Sequence, residues 1–127
     1  MDHITTFFQA ILAQDATVLH SFFQEDALVR WHCTNEQFTA EAYIRANCAY
    51  PGSWMGKIES VHQMNNGLTV MVTHVWPKDG ATSHHCVSFI RWDGDRIAAL
   101  DEYWADDSPP PRWRRELGLG EPIPAKD

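Results

Sequence analysis

Three junctions of one kind punctuate residues 54–104: Asn65-Asn66-Gly67, Lys78-Asp79-Gly80 and Trp92-Asp93-Gly94. Asn-Gly or Asp-Gly between alternating apolar runs is the strongest short-range hairpin signal, because glycine enters the positive-φ region that a tight turn needs. Three in succession predict a four-stranded antiparallel meander over about Trp54–Met64, Leu68–Trp76, Thr82–Trp92 and Arg96–Trp104. A meander of this size has an apolar face that must be covered, and the residues before it carry the cover.

Ile4, Phe7, Phe8, Ile11 and Leu12 recur at helical spacing and form one apolar stripe. Asp15 is placed to cap a second short helix bearing Val18, Leu19, Phe22 and Phe23. Ala27–Cys33 is a strand candidate, and Thr39 caps a third helix with Tyr43, Ala46, Asn47 and Tyr50 on one side, stopped by Pro51-Gly52. The fold class is therefore α+β: three N-terminal helices packed on a strongly curved antiparallel sheet. Beyond Ala105 the periodicity fails, which divides the chain into a domain over 1–107 and a Pro/Arg-containing tail over 108–127. In that tail Arg112, Arg114 and Arg115 are expected to pair with Asp106 and Asp107, and Trp113 to plug locally onto the helices.

A formal charge of −7 disfavours nucleic acid and anionic membrane as partners, since both require a basic face. No apolar stretch approaches the length of a membrane span. The opening MDHITTFFQA lacks the features of a secretory leader, and Cys33, Cys48 and Cys86 lack framework spacing. The expectation is a reduced, cytoplasmic protein whose cysteines are small buried hydrophobes.

The order helix, helix, strand, helix, four-stranded meander resembles the nuclear transport factor 2-like cone fold, in its SnoaL-like (polyketide-cyclase-like) branch. The residues that carry the resemblance are the Phe7-Phe8 helix, Trp31, Tyr43, Asp93-Gly94 before Ile97, and Leu100-Asp101-Glu102-Tyr103-Trp104 followed by Asp106. It spans about residues 3–107. It implies a pocket between the concave sheet face and the helices, and a homodimer packed through the other face. Activities across the superfamily include ketosteroid isomerisation, scytalone dehydration, polyketide cyclisation, epoxide hydrolysis and plain binding, so fold alone does not choose a reaction.

Counting back from the junctions places His74, one of His84 and His85, and Glu102 abreast on one face, whether the turns hold two residues or three. Trp76 and Trp104 lie two residues further along. The set Val70, Val72, His74 and Trp76 with Ala98, Leu100, Glu102 and Trp104 is apolar at one end and polar-aromatic at the other, as a pocket floor should be. The opposite set, bearing Met71, Val75, Ile97 and Tyr103, is then the dimer face. A mixture of turn types would break the row.

Two imidazoles and a carboxylate allow two chemistries. Glu102 could hold a histidine basic for general acid–base work, or two His and one Glu could bind a divalent metal. The resemblance favours the first without cofactor or metal, because scytalone-dehydratase-like members use His, a carboxylate and Tyr; Tyr43 would be the hydrogen-bonding acid. Arg30 and His32 are candidates to reach Glu102. Ser88 stands where ketosteroid-isomerase members place an acid on the penultimate strand, a departure from that pattern. The candidate catalytic group is thus His74, His84, His85, Glu102 and Tyr43, walled by Trp31, Trp54, Trp76, Trp104, Val72 and Leu100 around a small apolar ligand. A non-catalytic binding module or a dimeric interaction protein remains the competing reading.

Overall fold

The structure is a computed structural model, and residues 2–125 are described. Helix α1 (His3–Ala13) begins at Asp2, whose carboxylate accepts the Thr5 amide, and ends at Gln14 in the left-handed region. Helix α2 (Ala16–Phe22) is capped by Asp15 and runs straight into strand β1 (Phe23–Trp31). A single 3-10 turn, His32–Thr34, reverses the chain into the short strand β2 (Glu36–Thr39). Thr39 then caps α3 (Ala40–Ala49) through the Ala42 amide. The meander comes next as β3 (Trp54–Gln63), β4 (Leu68–Pro77), β5 (His84–Asp93) and β6 (Arg96–Asp106), and helix α4 (Arg112–Leu117) lies beyond it.

The six strands form one sheet in the order β2-β1-β6-β5-β4-β3. All pairings are antiparallel except β1 with β6, which is parallel, so the sheet is mixed rather than wholly antiparallel. Strand β2 was not expected. Its residues, Glu36-Gln37-Phe38-Thr39, show no apolar alternation, and pairing with β1 alone defines it.

The α1 stripe seals the sheet's concave side, with Ile4, Phe7 and Phe8 joining Leu19, Phe22, Val29, Ile44, Met71, Ile90, Ile97 and Leu100 in one core. Gln14 ties the ends of two helices together, its side-chain amide donating to the carbonyls of Asn47 and Tyr50, both at 2.8 Å. Gly56 admits α1 to this position: a Cβ there would lie 2.8 Å from the His74 carbonyl oxygen and 2.9 Å from Phe8 Cζ.

Register decides which side chains share the cavity, and it departs from the expected row. The first hairpin is a three-residue loop with Gly67 at φ +78°, closed by Met64 and Leu68. The second sets His74 opposite His85 and Val75 opposite His84. The third turns on Gly94 (φ +64°) and Asp95 between Asp93 and Arg96, and then β6 bulges, because Trp92 faces Ile97 while Arg91 faces Ala99. The turn lies one residue further along than expected, and with the extra residue of the bulge it sets Glu102 opposite Ser88 instead of a histidine.

Strand β4 also runs in the opposite phase to the one expected. Thr69, Met71, Thr73 and Val75 face the helices and are buried, and Val70, Val72, His74 and Trp76 face outward. The expected dimer face is corrected accordingly: Met71, Val75 and Ile97 are interior, and only Tyr103 of that set is exposed.

Candidate functional site

Between the concave face and helices α1 and α3 lies a cavity of about 420 Å³. Its walls are aromatic and aliphatic, with Phe8, Ile11 and Leu12 from α1, Tyr43 from α3, Trp31 from β1, Trp54 from β3 and Trp104 from β6. Met71, Thr73 and Val75 of β4 and Ser88 of β5 complete the floor. The parity of β4 makes this space, since a threonine at 73 leaves room that a histidine or tryptophan in the same place would fill.

Glu102 is the buried carboxyl group of the floor, only 3% exposed. Ser88 Oγ donates to its Oε2 at 2.5 Å, and Trp31 Nε1 donates to its Oε1 at 3.2 Å. Burial raises its pKa above the ordinary carboxylate value, outweighing the pull of Ser88, Trp31, Trp104 and Cys86 in the other direction. The phenol of Tyr43, also fully enclosed, is raised well above its ordinary value by burial and then by the Glu102 charge, so it stays protonated. Burial likewise pushes the Cys86 thiol up, which leaves it inert as a nucleophile.

His84 lines the mouth of the cavity, not its floor. Its Nδ1 lies 2.8 Å from Asp106 Oδ1, its Nε2 3.0 Å from Thr82 Oγ1, and its ring 5.7 Å from that of Trp54. Since a strand rises about 3.3 Å per residue, the four positions from His84 to Ser88 span about 13 Å, too far for His84 to bond Glu102 directly.

The remaining expected site residues lie elsewhere. His74 and His85 stack on the outer sheet face with centroids 4.5 Å apart and planes at 3°, and Trp76 packs beside His74 at 4.7 Å. Val72 shares that outer face, and Leu100 is sealed in the core beneath the cavity instead of lining it. Arg30 and His32 do not reach Glu102; His32 Nε2 meets Asp101 Oδ1 at 2.7 Å and Arg30 stands 4.0 Å from the same oxygen. Cys33 is exposed instead of buried. Trp113 is exposed under the Arg114 guanidinium, and Arg112 pairs with Glu116 instead of an aspartate.

Asp106 and Asp107 serve histidines instead. Asp107 Oδ1 lies 2.5 Å from His85 Nδ1, Asp107 Oδ2 lies 3.5 Å from His74 Nε2 and accepts from Ser83, and Glu59 Oε1 lies 3.2 Å from His85 Nε2. The signal was present in sequence, two adjacent aspartates across a hairpin from two adjacent histidines, but it is legible only in the true register. Glu59, His74 and His85 bring three potential ligand atoms within 4.8 Å of one another. Two parallel imidazoles do not direct their lone pairs at a common point, so this arrangement suits an ion-pair network better than a metal.

The hydrogen bond that the His85 ring donates to Asp107 is the main cause of a raised pKa at His85, opposed by partial burial and aided by Glu59. A histidine so raised contributes stability that is fully present below about pH 6.5 and is lost as pH rises through its folded pKa. Asp107→Asn is expected to move the His85 titration back down toward the ordinary histidine range, read by NMR of the ring protons. An unchanged titration would mean that the pair does not form in solution.

No protein-family model matches the sequence, and no curated protein matches it either. Solved structures do match. A candidate ketosteroid isomerase from Kribbella flavida superposes with a TM-score of 0.79 at 19% identity, covering 98% of this chain and 89% of its own. An NTF-2 like protein of unknown function from Burkholderia xenovorans gives a TM-score of 0.77 at 16% identity, covering 96% and 93%. A protein with a ketosteroid isomerase-like fold from Catenulispora acidiphila, solved in complex with trimethylamine, gives 0.65 at 15%, covering 80% and 84%. Candidate SnoaL-like and other polyketide cyclases are also among the matches. The chain has the nuclear transport factor 2-like cone fold, and identities this low establish the fold alone.

Proposed function

We propose that the cavity binds a small, largely apolar molecule and that Glu102 is its proton-transfer group, in cofactor-free chemistry of the isomerase, dehydratase or cyclase kind. The observation that supports this reading is a carboxyl group buried on the floor of an aromatic cavity with its pKa raised by that burial, the condition that makes a carboxylate a better base. Tyr43, held protonated on the opposite wall, is the hydrogen-bond donor for an oxygen that gains charge. Titration of the tryptophan fluorescence with a library of enolisable and dehydratable compounds, followed by assay of each binder for turnover, tests both halves. Absence of any binder sinks the cavity reading, and binders without turnover leave a small-ligand binding module. That second reading has its own support, since both Glu102 oxygens already hold protein donors and a fold neighbour holds trimethylamine.

The outer face, with Val72, Trp76, Val87, Phe89 and Tyr103, is the proposed homodimer surface. Light scattering at micromolar concentration is expected to give twice the chain mass, and Phe89→Lys to halve it; a wild-type monomer removes the dimer. No helix among the described residues is long and apolar enough to cross a membrane, which is compatible with the proposed cytoplasmic location. The domain boundary near 107 is proposed on the exposure of the residues beyond it, for α4 buries none of its own. A chain ending at Pro111 is expected to unfold cooperatively within a few degrees of the full chain, and a non-cooperative melt would make the tail integral.

A further inference from the structure

The lining of the cavity has a charge bias that its apolar character conceals. Six aromatic side chains wall it: Phe8, Trp31, Tyr43, Tyr50, Trp54 and Trp104. Three carboxylates line it, Glu102 at the floor with Glu36 and Asp106 toward the mouth, while no Lys or Arg does so among the described residues. The Asp106 charge is met by His84; Glu102 is met only by neutral donors. The formal charge of −7 adds a long-range field of the same sign.

We propose that the ligand of this cavity is a small organic cation, an alkylammonium whose charge faces Glu102 and whose methyl and methylene groups lie against the indole and phenol faces. The inference rests on the reading of the cavity as a ligand site, and not on catalysis. Aromatic faces carry negative quadrupoles, and their attraction for a cation is greatest where both are desolvated. An anion entering would meet three carboxylates and, as a base, only His84, which already bonds Asp106. A neutral molecule would fill the space but leave Glu102 with its desolvation cost, whereas an ammonium beside it restores the ionised form.

The test is a fluorescence titration of the full chain with three probes that share a benzyl group: benzyltrimethylammonium, its neutral carbon isostere neopentylbenzene, and the anion phenylacetate. The cation is expected to bind at least about tenfold tighter than the isostere, and phenylacetate not to bind. Glu102→Gln is expected to weaken the cation about tenfold or more while leaving the isostere within about twofold. Should that variant fail to fold, Trp54→Leu must weaken the cation more than the isostere. Isostere binding as tight as the cation, or an unchanged ratio in the variant, overturns the inference while the cavity reading stands. Failure of all three probes overturns both.

Discussion

Glu102→Gln is expected to make the protein more stable at neutral pH while impairing the cavity's charge-dependent work. The sign comes from linkage. Burial raises the folded-state pKa of Glu102 above its ordinary value near 4.5. Below that value both folded and unfolded chains hold the proton, and no penalty exists. As pH rises, the unfolded chain releases the proton first, and stability falls by about 1.4 kcal/mol per pH unit until the folded pKa is passed. Glutamine keeps the shape and an oxygen for Trp31 to donate to, and it has no proton to lose. Urea denaturation should therefore show little difference between wild type and variant at pH 4 and a clear gain for the variant at pH 8. A gain of equal size at both pH values would mean that ionisation is not its source. If a turnover is found, the same change is expected to lower it about 10²–10⁴-fold, the usual worth of a positioned acid–base group. Stability and function are then opposed at a single carboxyl group.

Gly56→Ala is expected to destabilise the fold by about 1–3 kcal/mol, although it adds a single methyl group to an otherwise ordinary strand position. The three nearest atoms to the added carbon are the His74 carbonyl oxygen at 2.8 Å, Phe8 Cζ at 2.9 Å and Val75 Cγ1 at 3.0 Å. The carbonyl belongs to the β3–β4 ladder and cannot retreat without breaking pairing, so helix α1 must yield through Phe8. Phe8 also lines the cavity, so ligand affinity should fall along with stability. Denaturation midpoints of Gly56→Ala against Gly80→Ala separate the causes. Gly80 has nothing near its missing Cβ, and its substitution is felt only through a backbone at φ +70°. Equal stability of Gly56→Ala and wild type would mean that α1 does not sit this close to the sheet.

Most of the architecture was legible because its signals are local. The α1 stripe, the caps Asp15 and Thr39 and the turns at Gly67 and Gly80 each act within a few residues and stand where the sequence pattern placed them, whereas the third turn lies one residue further along, on Gly94 and Asp95. Tyr43, Trp31, Trp54, Trp104 and Glu102 came to one cavity for the same reason: helix phase, β1 parity and β6 parity were read correctly. The histidine row was not there because parity on β4 is ambiguous. Val70 and Val72 are as apolar as Met71 and Val75, so hydrophobic alternation does not distinguish inside from outside in a strand covered on one face and apolar on the other. The bulge in β6 left no composition signal either, being two alanines in a row. Pairing of Asp106 and Asp107 with histidines depended on both registers at once, and charge proximity along the chain pointed to the arginines instead.

The alanine pair at the bulge is therefore a place where β6 can lose a residue. Because Trp92 faces Ile97 and Arg91 faces Ala99, everything after Ala98 stands one step out of phase with the strand's beginning. Removing that one residue would straighten the strand and leave Arg91 facing Ala99 and Ser88 facing Glu102, so the cavity side chains would keep their side of the sheet. The loss of Asp101 instead has no bulge to absorb it: Tyr103 would turn inward, and Glu102 and Trp104 would look out to where the second subunit is proposed to sit. A lineage built on this fold can therefore shorten the strand at its alanines without consequence, while the same loss three residues later trades a ligand chamber for a contact surface.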